Sequence, residues 1–197
     1  MKVIGLTGPT GAGKTTVLRV FEAEGSCVID CDFLYHDLLS FNKDMLSDIA
    51  ALFPSCISDG ILERKELGRI VFTSPEKLKI LESVTHKYIL SSVRETISFC
   101  RETGRATCVV DAIALFESSF NRECNVTVGV LAPASARMER IVSRDNISPE
   151  YAMKRIASQK EDSYYIDRCD HILINDGCKK RLIDKSTDLY RKIINTK

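Results

Sequence analysis

No charge of one sign dominates this sequence. Its 197 residues carry 28 Lys and Arg against 27 Asp and Glu, a formal net charge of +1. A chain whose main task is coating nucleic acid carries a basic surplus, so that class is excluded and no nucleic-acid partner is expected. Also missing is any apolar run of 18 or more residues, which excludes a transmembrane helix and leaves no membrane partner expected. The start, Met1-Lys2-Val3-Ile4-Gly5-Leu6-Thr7-Gly8, has neither the apolar region nor the small-residue cleavage site of a secretory signal. Histidines number three and there is no Cys-x-x-Cys pair, so structural zinc has no support. The eight cysteines (Cys27, Cys31, Cys56, Cys100, Cys108, Cys124, Cys169 and Cys178) are scattered, and are expected as reduced thiols of a cytoplasmic protein. A hydrophobic content of 44% and a charged content of 28% exclude disorder, collagen and coiled coil, and the length suits one domain. Nothing here sets the oligomeric state; a monomer is the simpler expectation.

Glycine is scarce too, at ten residues. Its distribution is uneven, because Gly5, Gly8, Gly11 and Gly13 all fall within the first thirteen positions. The apolar run Lys2 to Thr7 enters this cluster as a strand, and Val17, Val20 and Phe21 then share one helical face. Gly25 stops that helix, and Cys27-Val28-Ile29 reads as a second strand. Strand, crossover helix and strand make a βαβ unit and therefore a parallel sheet. From Asp32 to about Arg101 the pattern is mostly helical, broken at Pro54, Asp59-Gly60 and Ser74-Pro75. Strands follow at Ala106 to Asp111 and Val126 to Leu131. A helix opens at Pro133, another is capped by Ser148 before Pro149, and a last strand at His171 to Ile174 precedes a closing helix from Cys178 to Ile194. The layout is an α/β fold with helical insertions.

Gly8-Pro9-Thr10-Gly11-Ala12-Gly13-Lys14-Thr15 matches G-x-x-x-x-G-K-[ST]. Glycines let the backbone wrap so that N–H groups point at phosphate oxygens, and the following helix adds its N-terminal dipole. Gly11, Ala12, Gly13, Lys14, Thr15 and Thr16 are thus the expected nucleotide-phosphate ligands. Lys14 reaches the terminal phosphates and the Thr15 hydroxyl is the expected Mg²⁺ ligand.

Asp30 and Asp32 follow the second strand, at the sheet edge where α/β proteins bind ligands. A carboxylate there can take a proton from an acceptor hydroxyl or hold Mg²⁺ through water; Asp32 would equally serve as a helix N-cap. Strand alternation would turn both to the same side. Asp111, ending an apolar strand, is a further Mg²⁺-supporting candidate, and Glu117 is similar in kind. Arg137, Arg140 and Arg144, spaced by three and four, share one helical face. A solvated face is the usual reason for such a row, but phosphoryl transfer also needs cations against the phosphate oxygens. With Arg155 and Lys160 they suggest a lid that closes to exclude water.

Together these residues resemble the dephospho-CoA kinase family from Gly5 to about Gly177. Asp30-Cys31-Asp32 stands where that family has Asp-Ala-Asp, and His36 where it often has Arg or His. Gly60-Ile61-Leu62-Glu63-Arg64 is similar to its Gly-x-Leu-x-Arg segment, and His86 to the His of its His-Pro step, with Lys87 in the place of proline. Leu115-Phe116-Glu117 matches the end of Pro-Leu-Leu-Phe-Glu. Arg140, Arg144-Asp145, Arg155 and Gln159 match its lid, and Asp170 through Asn175-Asp176-Gly177 its final strand. The resemblance implies a P-loop kinase: three αβα layers on a parallel sheet (core about 1–32, 105–133 and 168–197), a helical acceptor-binding region (about 33–104) and a helical lid (about 134–167). It implies ATP as co-substrate with Mg²⁺, and transfer of the γ-phosphoryl group to the ribose 3′-hydroxyl of dephospho-CoA in coenzyme A synthesis. Asp32, Lys14 and Arg140 would be catalytic, and Arg144 and Asn175 would bind ATP. Asp32, His36, Arg64, His86 and Glu117 would contact the acceptor. The alternatives are another small-metabolite or nucleoside kinase of this fold, and a nucleotide-binding switch without chemistry. A switch of the GTPase type usually adds an Asn/Thr-Lys-x-Asp segment, which is lacking.

Overall fold

β1 (Lys2–Thr7) is buried on both faces from Val3 onward, the burial of a strand in the middle of a parallel sheet. The structure, a computed structural model, describes residues 1–58 and 60–196. After β1 come α1 (Lys14–Ala23), β2 (Cys27–Asp30), α2 (Cys31–Phe41), α3 (Lys43–Leu52), the short strands β3 (Ile57–Ser58) and β4 (Ile61–Leu62), α4 (Arg64–Phe72) and α5 (Pro75–Glu102). β5 (Thr107–Asp111), β6 (Val126–Leu131), α6 (Ala134–Asp145), α7 (Pro149–Ala157), α8 (Asp162–Ile166), β7 (His171–Ile174) and α9 (Lys179–Asn195) follow, and 3-10 turns form at Pro54–Cys56 and Phe120–Glu123. The main sheet has the order β2-β5-β1-β6-β7, and each of its pairings is parallel. Helices flank it on both sides, as the α/β reading requires. On one face Val17 and Phe21 of α1 and Leu182, Tyr190 and Ile193 of α9 pack over Ile4, Leu6, Val109, Val128 and Val130.

The chain divides into two compact units, Met1–Asp30 with Ile97–Lys197 and Cys31–Thr96. The second unit has its own core of Leu39, Met45, Ile49, Phe53, Leu67, Val71 and Leu81. Its helices match the expected helical stretch, but two features do not follow from periodicity. Asn42 ends α2 and caps α3, its side chain accepting the Met45 N–H at 2.8 Å. Ile57–Ser58 and Ile61–Leu62 form a small antiparallel ladder; Asp59 of the expected Asp59-Gly60 break lies outside the described residues. Strand alternation does not extend from Asp30 to Asp32, because β2 ends at Asp30 and Asp32 lies in the first turn of α2.

The expectation of eight reduced thiols is corrected. Cys27 of β2 and Cys100 near the end of α5 form a disulfide. The two are 73 positions apart, so spacing gives no hint of the pair, yet their Cα atoms lie 6.4 Å apart, within bridging distance. Burial pushes the Cys108 thiol up to about 11. Burial, aided by neighbouring carboxylates, pushes Cys124 and Cys169 up to about 12. Iodoacetamide at pH 8 is therefore expected to alkylate exposed Cys178 first, leaving Cys108, Cys124 and Cys169 intact until the chain is unfolded. Peptide mapping by mass spectrometry checks this, and Cys108 labelling as fast as Cys178 would contradict it. No helix among the described residues is long and apolar enough to cross a membrane.

Candidate active site

β1 delivers the chain at Thr7 into a tight loop, and α1 begins at Lys14. Two glycines show why the loop needs that residue type. Gly8 has φ +141°, and a Cβ there would lie 2.2 Å from the Val130 carbonyl oxygen. Gly13 has φ +110°, and a Cβ there would lie 2.6 Å from Asn175 Nδ2. Side chains other than hydrogen meet both a disfavoured backbone region and an occupied site. Gly13→Ala is expected to weaken ATP binding at least tenfold and to lower the melting temperature. Calorimetric titration and thermal unfolding read the two effects, and an unchanged ATP affinity would show that the loop adapts.

The α1 N-terminus carries Lys14, Thr15 and Thr16 and no acidic residue, so its dipole is available to an anion. Lys14 Nζ donates to the Gly8 carbonyl at 3.0 Å, lying across the mouth of the loop. Thr15 is exposed and Thr16 half-buried.

Four side chains from far along the chain, Arg137, Arg140, Gln159 and Asn175, bond to the loop backbone. Arg137 of α6 is buried at 5% exposure; its Nε donates to the Thr10 carbonyl at 3.0 Å and its Nη2 to Gln159 Oε1 at 2.6 Å. The same Gln159 oxygen accepts the Thr10 N–H at 3.1 Å. Burial lowers the Arg137 pKa from its ordinary value, opposed by the nearby Asp162 carboxylate. Arg140 Nη1 donates to the Gly11 and Ala12 carbonyls at 2.9 and 3.4 Å. Asn175, also buried, donates from Nδ2 to the Ala12 carbonyl at 2.8 Å. The arginine row therefore divides. Arg144 and Arg155 bind the Asp145 carboxylate at 2.7 Å each, and the Arg144 bond leads in holding that carboxyl below its usual range.

Asp30 and Asp111 are register partners at the ends of neighbouring strands. Their carboxylates and the Thr15 hydroxyl each offer a hard oxygen, the donor type that suits Mg²⁺ rather than a thiophilic ion. Glu117, in the turns after β5, accepts from the Tyr164 hydroxyl of α8; burial first, and this bond next, raise the Tyr164 pKa. In the second unit Asp32 is exposed in the first turn of α2. Arg64 joins α4 to α2 by donating to the His36 carbonyl at 3.4 Å and to Ser40 Oγ at 2.7 Å. His86 is half-buried in α5, and its neighbour Lys87 binds Asp48 of α3 at 2.6 Å. The sequence puts Arg137 on a solvated or phosphate-facing row and Gln159 in the lid pattern, and neither reading anticipates their shared grip on Thr10. The buried Ile141 one turn after Arg137 was the available sign that this face turns inward.

A sequence profile described as dephospho-CoA kinase matches residues 2–180. A protein of Corynebacterium diphtheriae named dephospho-CoA kinase is 33% identical over 194 residues, covering 98% of this chain and 97% of its own length. The crystal structure of a Thermus thermophilus protein is 28% identical and superposes with a TM-score of 0.85, covering 99% of this chain and 98% of its own. The structure of a dephospho-CoA kinase from Campylobacter jejuni, 24% identical with a TM-score of 0.71 over 97% and 96%, shares the fold.

Proposed function

The chain belongs to the dephospho-CoA kinase family, and we propose that it transfers the γ-phosphoryl group of ATP to the ribose 3′-hydroxyl of dephospho-CoA, giving CoA and ADP. The observation that carries the phosphoryl-transfer half is the loop itself: strand, glycine turn, Lys14 and a helix N-terminus without acidic residues. Family membership carries the acceptor.

In this reading the loop amides and α1 hold the ATP phosphates, and Lys14 neutralises charge on the transferring group. The Asp32 carboxylate accepts the proton of the attacking hydroxyl and orients it. Arg140 and Arg144 bring positive charge from the 134–167 lid segment. Thr15, with Asp30 or Asp111, would hold Mg²⁺. The ion, when bound, would supply Lewis-acid stabilisation of charge on the phosphates. His36, Arg64 and His86, in the helical region over 33–104, and Glu117 contact the acceptor. Asn175 stands beside the nucleotide. The cytoplasm is the proposed compartment.

An acceptor screen with purified protein and Mg·ATP tests the reading. Dephospho-CoA is expected to drive ADP release far above buffer, with CoA as the second product. Greater turnover with a nucleoside would reassign the acceptor. Tight ATP binding without turnover on any acceptor would make the chain a switch.

A further inference from the structure

A trans peptide unit is planar, and its C=O and N–H point in opposite directions. Fixing the carbonyl of one residue therefore aims the N–H of the next. No cis peptide occurs among the described residues, so this coupling holds through the phosphate loop. Three successive carbonyls in that loop are each gripped from outside: Thr10 by Arg137, Gly11 by Arg140, and Ala12 by Arg140 and Asn175. The N–H groups linked to those carbonyls belong to Gly11, Ala12 and Gly13.

We infer that Arg137, Arg140 and Asn175, with Gln159, form a brace that turns these three carbonyls outward and so presents the Gly11 and Gly13 amides to the phosphates, while the Ala12 N–H closes the turn on the Pro9 carbonyl at 3.3 Å. The inference rests on the phosphate-binding reading and adds positioning residues to it. Arg137 is its centre. At 5% exposure, with its bonds spent on Thr10 and Gln159, its guanidinium acts on nucleotide through the loop rather than by contact. Gln159 works as an acceptor. Its one oxygen takes the Thr10 N–H and the Arg137 N–H together, so Thr10 is held at both its N–H and its C=O. Gly11 fits the same picture, since a Cβ there would lie 2.9 Å from the Arg137 carbonyl oxygen, leaving loop and α6 in direct contact. A charged donor on a backbone carbonyl is roughly twice as strong as a neutral one. Both arginines commit Nε or Nη groups to backbone oxygens of the loop. Arg140 grips with Nη1, and its remaining N–H groups can face a ligand at the same time.

Calorimetric titration of the full chain with Mg·ATP and with tripolyphosphate tests the brace. Arg137→Met is expected to weaken both about tenfold and by the same factor, because the lost element is the amide array and not a base contact. Arg137→Lys, which restores one donor to Thr10, is expected to recover most of the loss. In steady state the KM for ATP rises while that for dephospho-CoA stays within twofold. Asn175→Leu is expected to weaken tripolyphosphate as well as ATP; weakening of ATP alone would make Asn175 an adenine contact and remove it from the brace. Should Arg137→Met fail to fold by near-ultraviolet circular dichroism, Gln159→Met removes the shared acceptor and carries the same expectation. Variants that bind tripolyphosphate within twofold of wild type would overturn the inference. A wild-type chain that binds neither ligand would instead overturn the phosphate-loop reading on which it rests.

Discussion

Lys14→Ala is expected to lower turnover by about 10²–10³-fold, equivalent to about 3–4 kcal/mol of transition-state stabilisation. The charge on the transferring group spreads over its equatorial oxygens as the bond to the leaving oxygen lengthens. Lys14 is the first residue of α1, half-buried, with its ammonium 3.0 Å from the Gly8 carbonyl. It already spans the loop, so little reorganisation is needed to meet that charge. The effect should fall on kcat/KM for ATP, measured by coupled ADP release at saturating dephospho-CoA. A loss below tenfold would place the main electrostatic contribution elsewhere, with the lid arginines as the next candidates.

Asp32→Asn is expected to divide the parameters differently, with kcat falling at least a hundredfold and ATP affinity moving less than threefold. General-base assistance contributes about 10²–10⁴-fold, and an amide retains the shape of the carboxylate without its basicity. Asp32 suits such a role because α2 starts at Cys31, immediately after Asp30 closes β2, with no intervening loop. Its exposed position in the first helical turn also fits a simple helix-terminal charge. The two roles separate on turnover: a helix-terminal charge affects stability by about 1 kcal/mol or less and leaves kcat alone. Unchanged turnover would therefore remove Asp32 as the base.

Much of the fold was readable from the chain because its strands are short, apolar and bounded by strong stops. Lys2 to Thr7, Val126 to Leu131 and His171 to Ile174 were anticipated at the ends they show. The Ser148 cap before Pro149 is likewise local chemistry, and its hydroxyl accepts the Tyr151 N–H. What periodicity could not carry was two-residue β3 and β4, too short for any pattern, and the break at Asn42, where helical spacing resumes on the other side. The disulfide escaped because Cys27 of β2 and Cys100 of α5, 73 positions apart, meet only in the folded chain. In the site, the loop and its lysine are legible because consecutive residues perform the chemistry. The grip on Thr10 is not, since it depends on a guanidinium 127 positions away and an amide oxygen 149 away. An arginine row in sequence looks the same whether it faces water, phosphate or a carbonyl.

The place of β1 in the sheet has a consequence for the order in which this protein can be made. β1 is synthesised about a hundred residues before its partners, β5, beginning at Thr107, and β6, beginning at Val126. At translation rates of about 5–20 residues per second, the strand waits roughly 5–25 s before both edges can pair. Gln159 and Asn175, which bind the loop and its Ala12 carbonyl, emerge later still. The glycine loop after β1 is thus made well before the side chains that fix its shape. Nucleotide therefore cannot template the early steps of folding, and a nascent chain interrupted before Val126 exposes an apolar strand with one edge unmatched.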